Sequence, residues 1–227
     1  AWAARSDKAY FVFENRSDRV AIGLPAGSRS ILLMGAGVDE REFMMGPMPS
    51  EPPLKLVVAS RLIWSKGIDI AVEAVSSLIG KGYAVELSIY GLPDPDNPRP
   101  VAYATLEEWS HRAGIRYCGH GSDMPRVWAD HHVALFPTRG GEGLPRALLE
   151  AAATGRPCIV TDVPGCADFI RDGLEGLVVE KESVSELEGA IVKLLENPGL
   201  RDALGQAARC RVLANSTVEI TKTEYRA

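Results

Sequence analysis

The sequence predicts a doubly wound α/β domain built on a parallel sheet, and three observations lead there. From Leu54 onward, short apolar runs alternate with segments whose apolar residues recur at helical spacing. Runs such as 54–59 and 133–136 are apolar on both faces, the pattern of parallel strands covered by helices on each side. One strand-to-helix junction, residues 138–155, is rich in glycine and carries two glutamates.

Taken in order, residues 9–13 read as a strand, 17–24 as a short helix and 31–34 as another strand. These cannot close a core by themselves. Proline at the density of 47–53 breaks regular structure and reads as a connector. Residues 1–53 are therefore expected to be the tail of a preceding domain plus a linker. The main domain is expected over 54–215. Its strands are 54–59, 84–90, 115–118, 133–136, 157–160 and 177–179, all short, apolar and β-branched or bounded by turn residues. Its helices are 68–81, 101–113, 124–130, the segment after Gly143, 166–171, 184–196 and 200–213, with a terminal helix in 216–227. The prolines of 91–100 exclude regular structure there. The helices after Ser183 are read as packing on a neighbouring domain.

The junction is the candidate site. Gly140, Gly141 and Gly143 let a ligand approach the backbone, and the unpaired N–H groups of a helix start attract anions. Pro145 suits the first helical turn and Gly155 the exit. Glu142 and Glu150 would stand about 12 Å apart on a continuous helix, too far to share a proton and suited to two ends of one extended ligand. Carboxylates only accept hydrogen bonds, so their partners there would be hydroxyls of a sugar or ribose. Arg61 and Lys66 follow the first strand of the domain, a fork and a point charge suited to a diphosphate. Doubly wound sheets bind ligands at the carboxyl ends of their strands, where these elements meet. No G-x-G-x-x-G follows Ala59, which argues against a simple dinucleotide site.

Composition sets limits. A chain of 227 residues can bury a full core, and a net charge of −5 argues against nucleic acid as the partner. The four cysteines, Cys118, Cys158, Cys166 and Cys210, form no C-x-x-C pair and read as reduced residues in or near the core of a cytoplasmic protein. The histidines, including His131-His132, lack metal-ligand spacing. No apolar run is long enough to span a bilayer and no signal peptide is expected.

Residues 35 to about 179 resemble the group 1, retaining glycosyltransferases of the GT-B fold. The landmarks recur in order: Gly37-Val-Asp39 with Phe43, Arg61-Leu with Lys66-Gly67, Tyr117-Cys-Gly119, Glu142-x7-Glu150, Gly155-Arg-Pro157, Thr161-Asp and Gly173-x-x-Gly176. The resemblance implies a Rossmann-like, nucleotide-sugar-binding C-terminal domain. Arg61 and Lys66 would hold the donor diphosphate, Glu150 the ribose, and Glu142 would face the sugar. The backbone around Gly143, Leu144 and Pro145 would face sugar or phosphates, and Tyr117, Cys118 and Gly119 the base. Transfer from a nucleoside diphosphate sugar, with UDP the choice of carrier, would proceed with retention and would require neither metal nor separate cofactor. A saccharide or lipid-linked acceptor, and any peripheral membrane contact, would belong to the first domain. That domain is mostly absent from this sequence, so the chain alone is expected to bind donor without turning it over. Ser60 departs from the family, where glycine more often precedes the arginine. Two alternatives stay open: a sugar-nucleotide epimerase of the same architecture, and a non-catalytic nucleotide-binding module. A receiver-like signalling domain would need acids where Ala59-Ser60-Arg61 stands.

Overall fold

The computed structural model describes residues 9–24, 28–140 and 143–226. Glu142 and Gly141 of the candidate junction therefore lie outside the described residues.

The main domain is a six-stranded, all-parallel sheet of β3 (Leu54–Ala59), β4 (Val85–Tyr90), β5 (Ile115–Gly119), β6 (Val133–Phe136), β7 (Cys158–Thr161) and β8 (Gly176–Val179), ordered β5-β4-β3-β6-β7-β8. The order reverses between β3 and β6. Strand alternation builds two core layers. Leu56, Val58, Val133 and Leu135 face the layer of α2 (Ile68–Gly80), α3 (Tyr103–Ser110) and α7 (Val184–Glu196). Val57, Ala59, Ala134 and Phe136 face the layer of α4 (Met124–Ala129), α5 (Arg146–Ala153), α6 (Cys166–Phe169) and α8 (Pro198–Asn215). Two buried faces are what the uninterrupted apolar strands required.

Two expectations change here. The helices after Ser183 pack on this domain itself, α7 against α2 and α8 against α5, and bury Ile191, Leu194, Ala208 and Val212. Of the four cysteines, which form no disulfide, only Cys158 and Cys166 are buried; Cys118, on edge strand β5, and Cys210, on α8, are exposed.

The N-terminal residues form a small unit of β1 (Tyr10–Phe13), α1 (Arg16–Ile22) and β2 (Arg29–Leu32), with the two strands parallel. Asn15 caps α1 by accepting from Asp18 N at 2.7 Å, and Gly23 closes the helix in the left-handed region. The Ser17 backbone N–H and hydroxyl both reach the Asp168 carboxylate at 3.2 Å, tying α1 to α6. Val38 and Phe43 are buried in the second core layer, and Val38 pairs with Thr217 just before α9 (Val218–Arg226).

The proline-rich connector is pinned by side chains of the main domain. Arg156, 1% exposed, donates to the carbonyls of Pro47, Trp128 and Ala129. Buried Arg201 pairs with Glu51. His132 accepts from Lys55 N through Nδ1 and meets the Pro49 carbonyl through Nε2 at 3.0 Å. Burial pushes the His132 pKa down, in keeping with this neutral tautomer.

Candidate functional site

Two adjoining cavities open at the carboxyl ends of β3, β4 and β6, astride the reversal in strand order. The smaller, about 280 Å³, lies between the ends of β3 and β6 and takes in Arg61, Lys66, Thr138 and the start of α5. The larger, about 490 Å³, runs on between β3, β4 and the residues after β5, past Asp94, His120, Met124 and Glu150. Ala59, Ser60, Arg61, Arg146 and Ala147 wall both.

Lys66 ends a single 3-10 turn, Trp64–Lys66, closed by Gly67 at φ 66°. That glycine is obligatory: a Cβ there would collide with the Pro137 carbonyl oxygen. The turn therefore lies directly on the end of β6. Arg139 N donates to Ser65 O at 2.7 Å and Thr138 Oγ1 to the same oxygen at 3.1 Å. The Arg139 guanidinium grips Asp69 at 2.9 and 2.8 Å, Glu182 at 3.0 Å and the Trp64 carbonyl. These acids hold its pKa above the ordinary arginine value. One arginine thus joins the lysine-bearing turn to the start of the glycine-rich loop.

Helix α5 begins at Arg146. Pro145, expected inside the first turn, is instead the cap residue at φ −62°, ψ 127°, and its carbonyl accepts from Leu148 N at 3.0 Å. No side chain caps this end, so the start of α5 presents a helix terminus to the smaller cavity. Leu144 turns away and is buried in the second core layer. Gly143 sits against Glu14 of the N-terminal unit, whose carboxylate occupies the space a Cβ would need.

Glu150 is 8% exposed yet borders the larger cavity. Its Oε2 accepts from Trp128 Nε1 at 3.3 Å and its Oε1 from Arg146 Nε at 3.0 Å. Burial raises its pKa above the ordinary carboxyl value, while Trp128 and Arg146 pull the other way. Arg61 is held by Asp94 at 2.8 Å across the rim.

Of the sequence-derived residues, Arg61, Lys66, Pro145 and Glu150 come together around the two cavities. Tyr117, Cys118 and Gly119 stand one step behind. The Tyr117 hydroxyl donates to Gly91 O at 3.2 Å and its ring packs on the first core layer, while Gly119 O accepts from Gly91 N at 2.8 Å. Tyr117 and Gly119 brace the loop that walls the larger cavity, where His120 and Gly121 follow them. Sequence reading missed Arg146, Trp128, Asp94 and Arg139. Arg146 left a signal, its i,i+4 spacing to Glu150; the others meet their partners only through the fold. Among the described residues no three His, Cys, Asp or Glu side chains form a group able to hold a metal, and no helix is long and apolar enough to cross a membrane.

A family model described as Glycosyl transferases group 1 matches residues 53–197, the span holding the sheet and both cavities. The chain belongs to this family. It is 30% identical, over 67% of its length, to the capsular polysaccharide biosynthesis glycosyltransferase CapM of Staphylococcus aureus, of which it covers 39%. Its fold matches Anabaena HepE, solved in complex with UDP-glucose, with a TM-score of 0.79 at 16% identity, over 96% of this chain and 62% of that one. It covers 100% of the C-terminal domain of LpcC, a group 1 family glycosyl transferase of Francisella tularensis, with a TM-score of 0.68 at 19% identity over 80% of this chain. The fold is the Rossmann-like C-terminal half of GT-B. The chain thus spans less than two thirds of the length of CapM and of HepE.

Proposed function

We propose that this chain is the donor-binding part of a retaining glycosyltransferase that takes its sugar from a nucleoside diphosphate sugar, a UDP-sugar in the first instance. One observation carries the reading: two joined cavities at the reversal of the sheet, one cationic and closed by an uncapped helix start, the other bordered by a buried carboxylate. The diphosphate belongs in the first, between Arg61, Lys66 and the start of α5. The nucleoside belongs in the second, with its ribose on Glu150 and its base towards the end of β5 at Tyr117, Cys118 and Gly119. Glu142 and the backbone of Gly143 and Leu144 are assigned to the sugar side.

In this reading, leaving-group stabilisation drives the reaction. Charge develops on the departing diphosphate, where fixed cations and backbone N–H groups stabilise it. Arg61 and Lys66 supply the neutralising charge from the protein. The acceptor, a saccharide or lipid-linked saccharide, is assigned to a domain to which residues 1–53 form the tail and connector. The capsular polysaccharide role named for CapM is in keeping with such an acceptor.

Calorimetric titration with UDP, GDP and ADP tests the proposal. Saturable binding of one nucleotide is expected, weakened by about 1.5–3 kcal/mol in Lys66→Ala or Arg61→Ala, the worth of a charged hydrogen bond. Unchanged affinity in both folded variants would remove the diphosphate from this cavity.

A further inference from the structure

Arg146 is a cation that walls both cavities and is also bonded to the carboxylate of the larger one. Its side chain is 66% exposed on the first turn of α5, while the Glu150 side chain is 11% exposed. Both Glu150 oxygens have protein donors, Arg146 on Oε1 and Trp128 on Oε2. Each oxygen keeps a second lone pair, so Arg146 takes from an incoming hydroxyl one acceptor site of Oε1 and the space its exposed guanidinium fills beside it.

Resting on the donor reading above, we infer that Arg146 couples the two subsites: a diphosphate in the smaller cavity draws the Arg146 fork off Glu150, and Glu150 Oε1 is thereby freed to accept from the ribose. The exchange is favourable in direction. An i,i+4 ion pair whose cation is exposed is weakened by solvent, whereas a guanidinium on phosphate is charge-assisted and can be bidentate. The Trp128 bond is buried at both ends and stays, so the freed carboxylate keeps its orientation. Arg61 stands in a parallel relation to Asp94. Both arginines on the shared wall are thus held by the protein's own acids until a stronger anion arrives. Nucleoside and diphosphate then bind with positive coupling, because the second ligand no longer displaces Arg146.

The test titrates wild type and Arg146→Met with inorganic pyrophosphate, UDP and uridine near neutral pH, with the guanosine and adenosine series alongside. In Arg146→Met, pyrophosphate is expected to weaken about tenfold or more and the diphosphate nucleotide with it, while the bare nucleoside binds as well as before or better. Pyrophosphate affinity that does not change overturns the inference. So does nucleoside affinity that falls in step with pyrophosphate, which would make Arg146 only a support for Glu150. Arg146→Lys, which keeps the charge and loses the fork, is expected to recover part of the pyrophosphate binding. Wild type that binds no nucleoside diphosphate overturns this inference and the donor reading together; UDP binding with all three affinities unmoved in Arg146→Met overturns this one alone. The exposure of Arg146 keeps the variants folded, and their unfolding midpoints check it.

Discussion

At the scale of single residues, Glu150 is under two opposed demands. Its carboxyl accepts hydrogen bonds from hydroxyls most strongly when charged, yet burial favours the neutral form and raises its pKa. A carboxyl whose pKa is higher in the folded than in the unfolded state binds more protons when folded, so its contribution to stability falls as pH rises from the ordinary carboxyl pKa through the folded one. Glu150→Gln removes that cost and keeps an oxygen for Trp128. It is therefore expected to be at least as stable as wild type at neutral pH, with the gain vanishing below the unfolded carboxyl pKa. Nucleotide binding should weaken by about 1.5–3 kcal/mol. In wild type the same affinity should decline on acidification at a pH above the ordinary carboxyl range. Chemical denaturation and titration across pH check both signs, and a variant destabilised at neutral pH would mean that the Arg146 and Trp128 bonds outweigh desolvation. The sequence made Glu150 conspicuous because it stands among Leu148, Leu149 and three alanines. It could not disclose Trp128, whose indole reaches the carboxylate from α4, 22 residues away.

Among the elements, the turn between β3 and α2 shows how the backbone sets the site. Gly67 combines a positive φ with close approach to the Pro137 carbonyl, so Gly67→Ala must both strain the turn and push it off β6. A left-handed alanine alone costs about 1–2 kcal/mol, and the clash adds to it. Gly82 is the control: its φ is also positive, 88°, but a Cβ there meets nothing within 4 Å. Gly82→Ala should cost only the backbone strain and leave nucleotide affinity alone, whereas Gly67→Ala should lose more stability and weaken binding with it. Equal effects on unfolding midpoint and affinity in the two variants would sink this account of the turn. The same contrast explains what was legible. The central parallel strands were readable because they are buried on two faces and so are apolar at nearly every position, while edge strand β5, with Arg116 and Cys118 exposed, was marked by Ile115 and its bounding turns. The start of α5 was not, because proline fits both the first helical position and the residue before it, and only ψ separates them. The outward cysteines were misread because one-dimensional hydrophobicity gives no edge strand and no solvent side to α8.

Across the whole molecule, the connector decides how the N-terminal unit is held. Read as a linker, 47–53 suggested freedom; in the structure its carbonyls are received by side chains of the main domain. Arg156 is the centre of this arrangement. It is buried without an ion-pair partner in contact, which lowers its pKa, and it donates to three carbonyls from two segments, Pro47 on one and Trp128 and Ala129 on the other, and to the Met48 sulfur. A cation in such a place is tolerated because Nε and Nη2 find carbonyl oxygens and Nη1 meets the Met48 sulfur. The Gly155-Arg-Pro157 landmark thus has a structural explanation: Gly155 ends α5 in the left-handed region, and the next residue is aimed back under α4 at the connector. Arg156→Met keeps the bulk but takes the donor from the Pro47 and Ala129 carbonyls, while Trp128 O retains the His131 N–H; a partly buried group left unpaired costs about 1–3 kcal/mol. The variant should therefore be less stable by about 1–3 kcal/mol, and residues 47–53 should become sensitive to limited proteolysis before the sheet does. Nucleotide affinity should hold, since neither cavity includes Arg156. If the connector resists cleavage as well as in wild type while stability falls, Arg156 serves the α4 carbonyls alone, and the N-terminal unit is held instead by the Ser17–Asp168 and Arg201–Glu51 contacts. The converse result, early cleavage with little loss of global stability, would mark the connector as a locally opening segment anchored by one side chain.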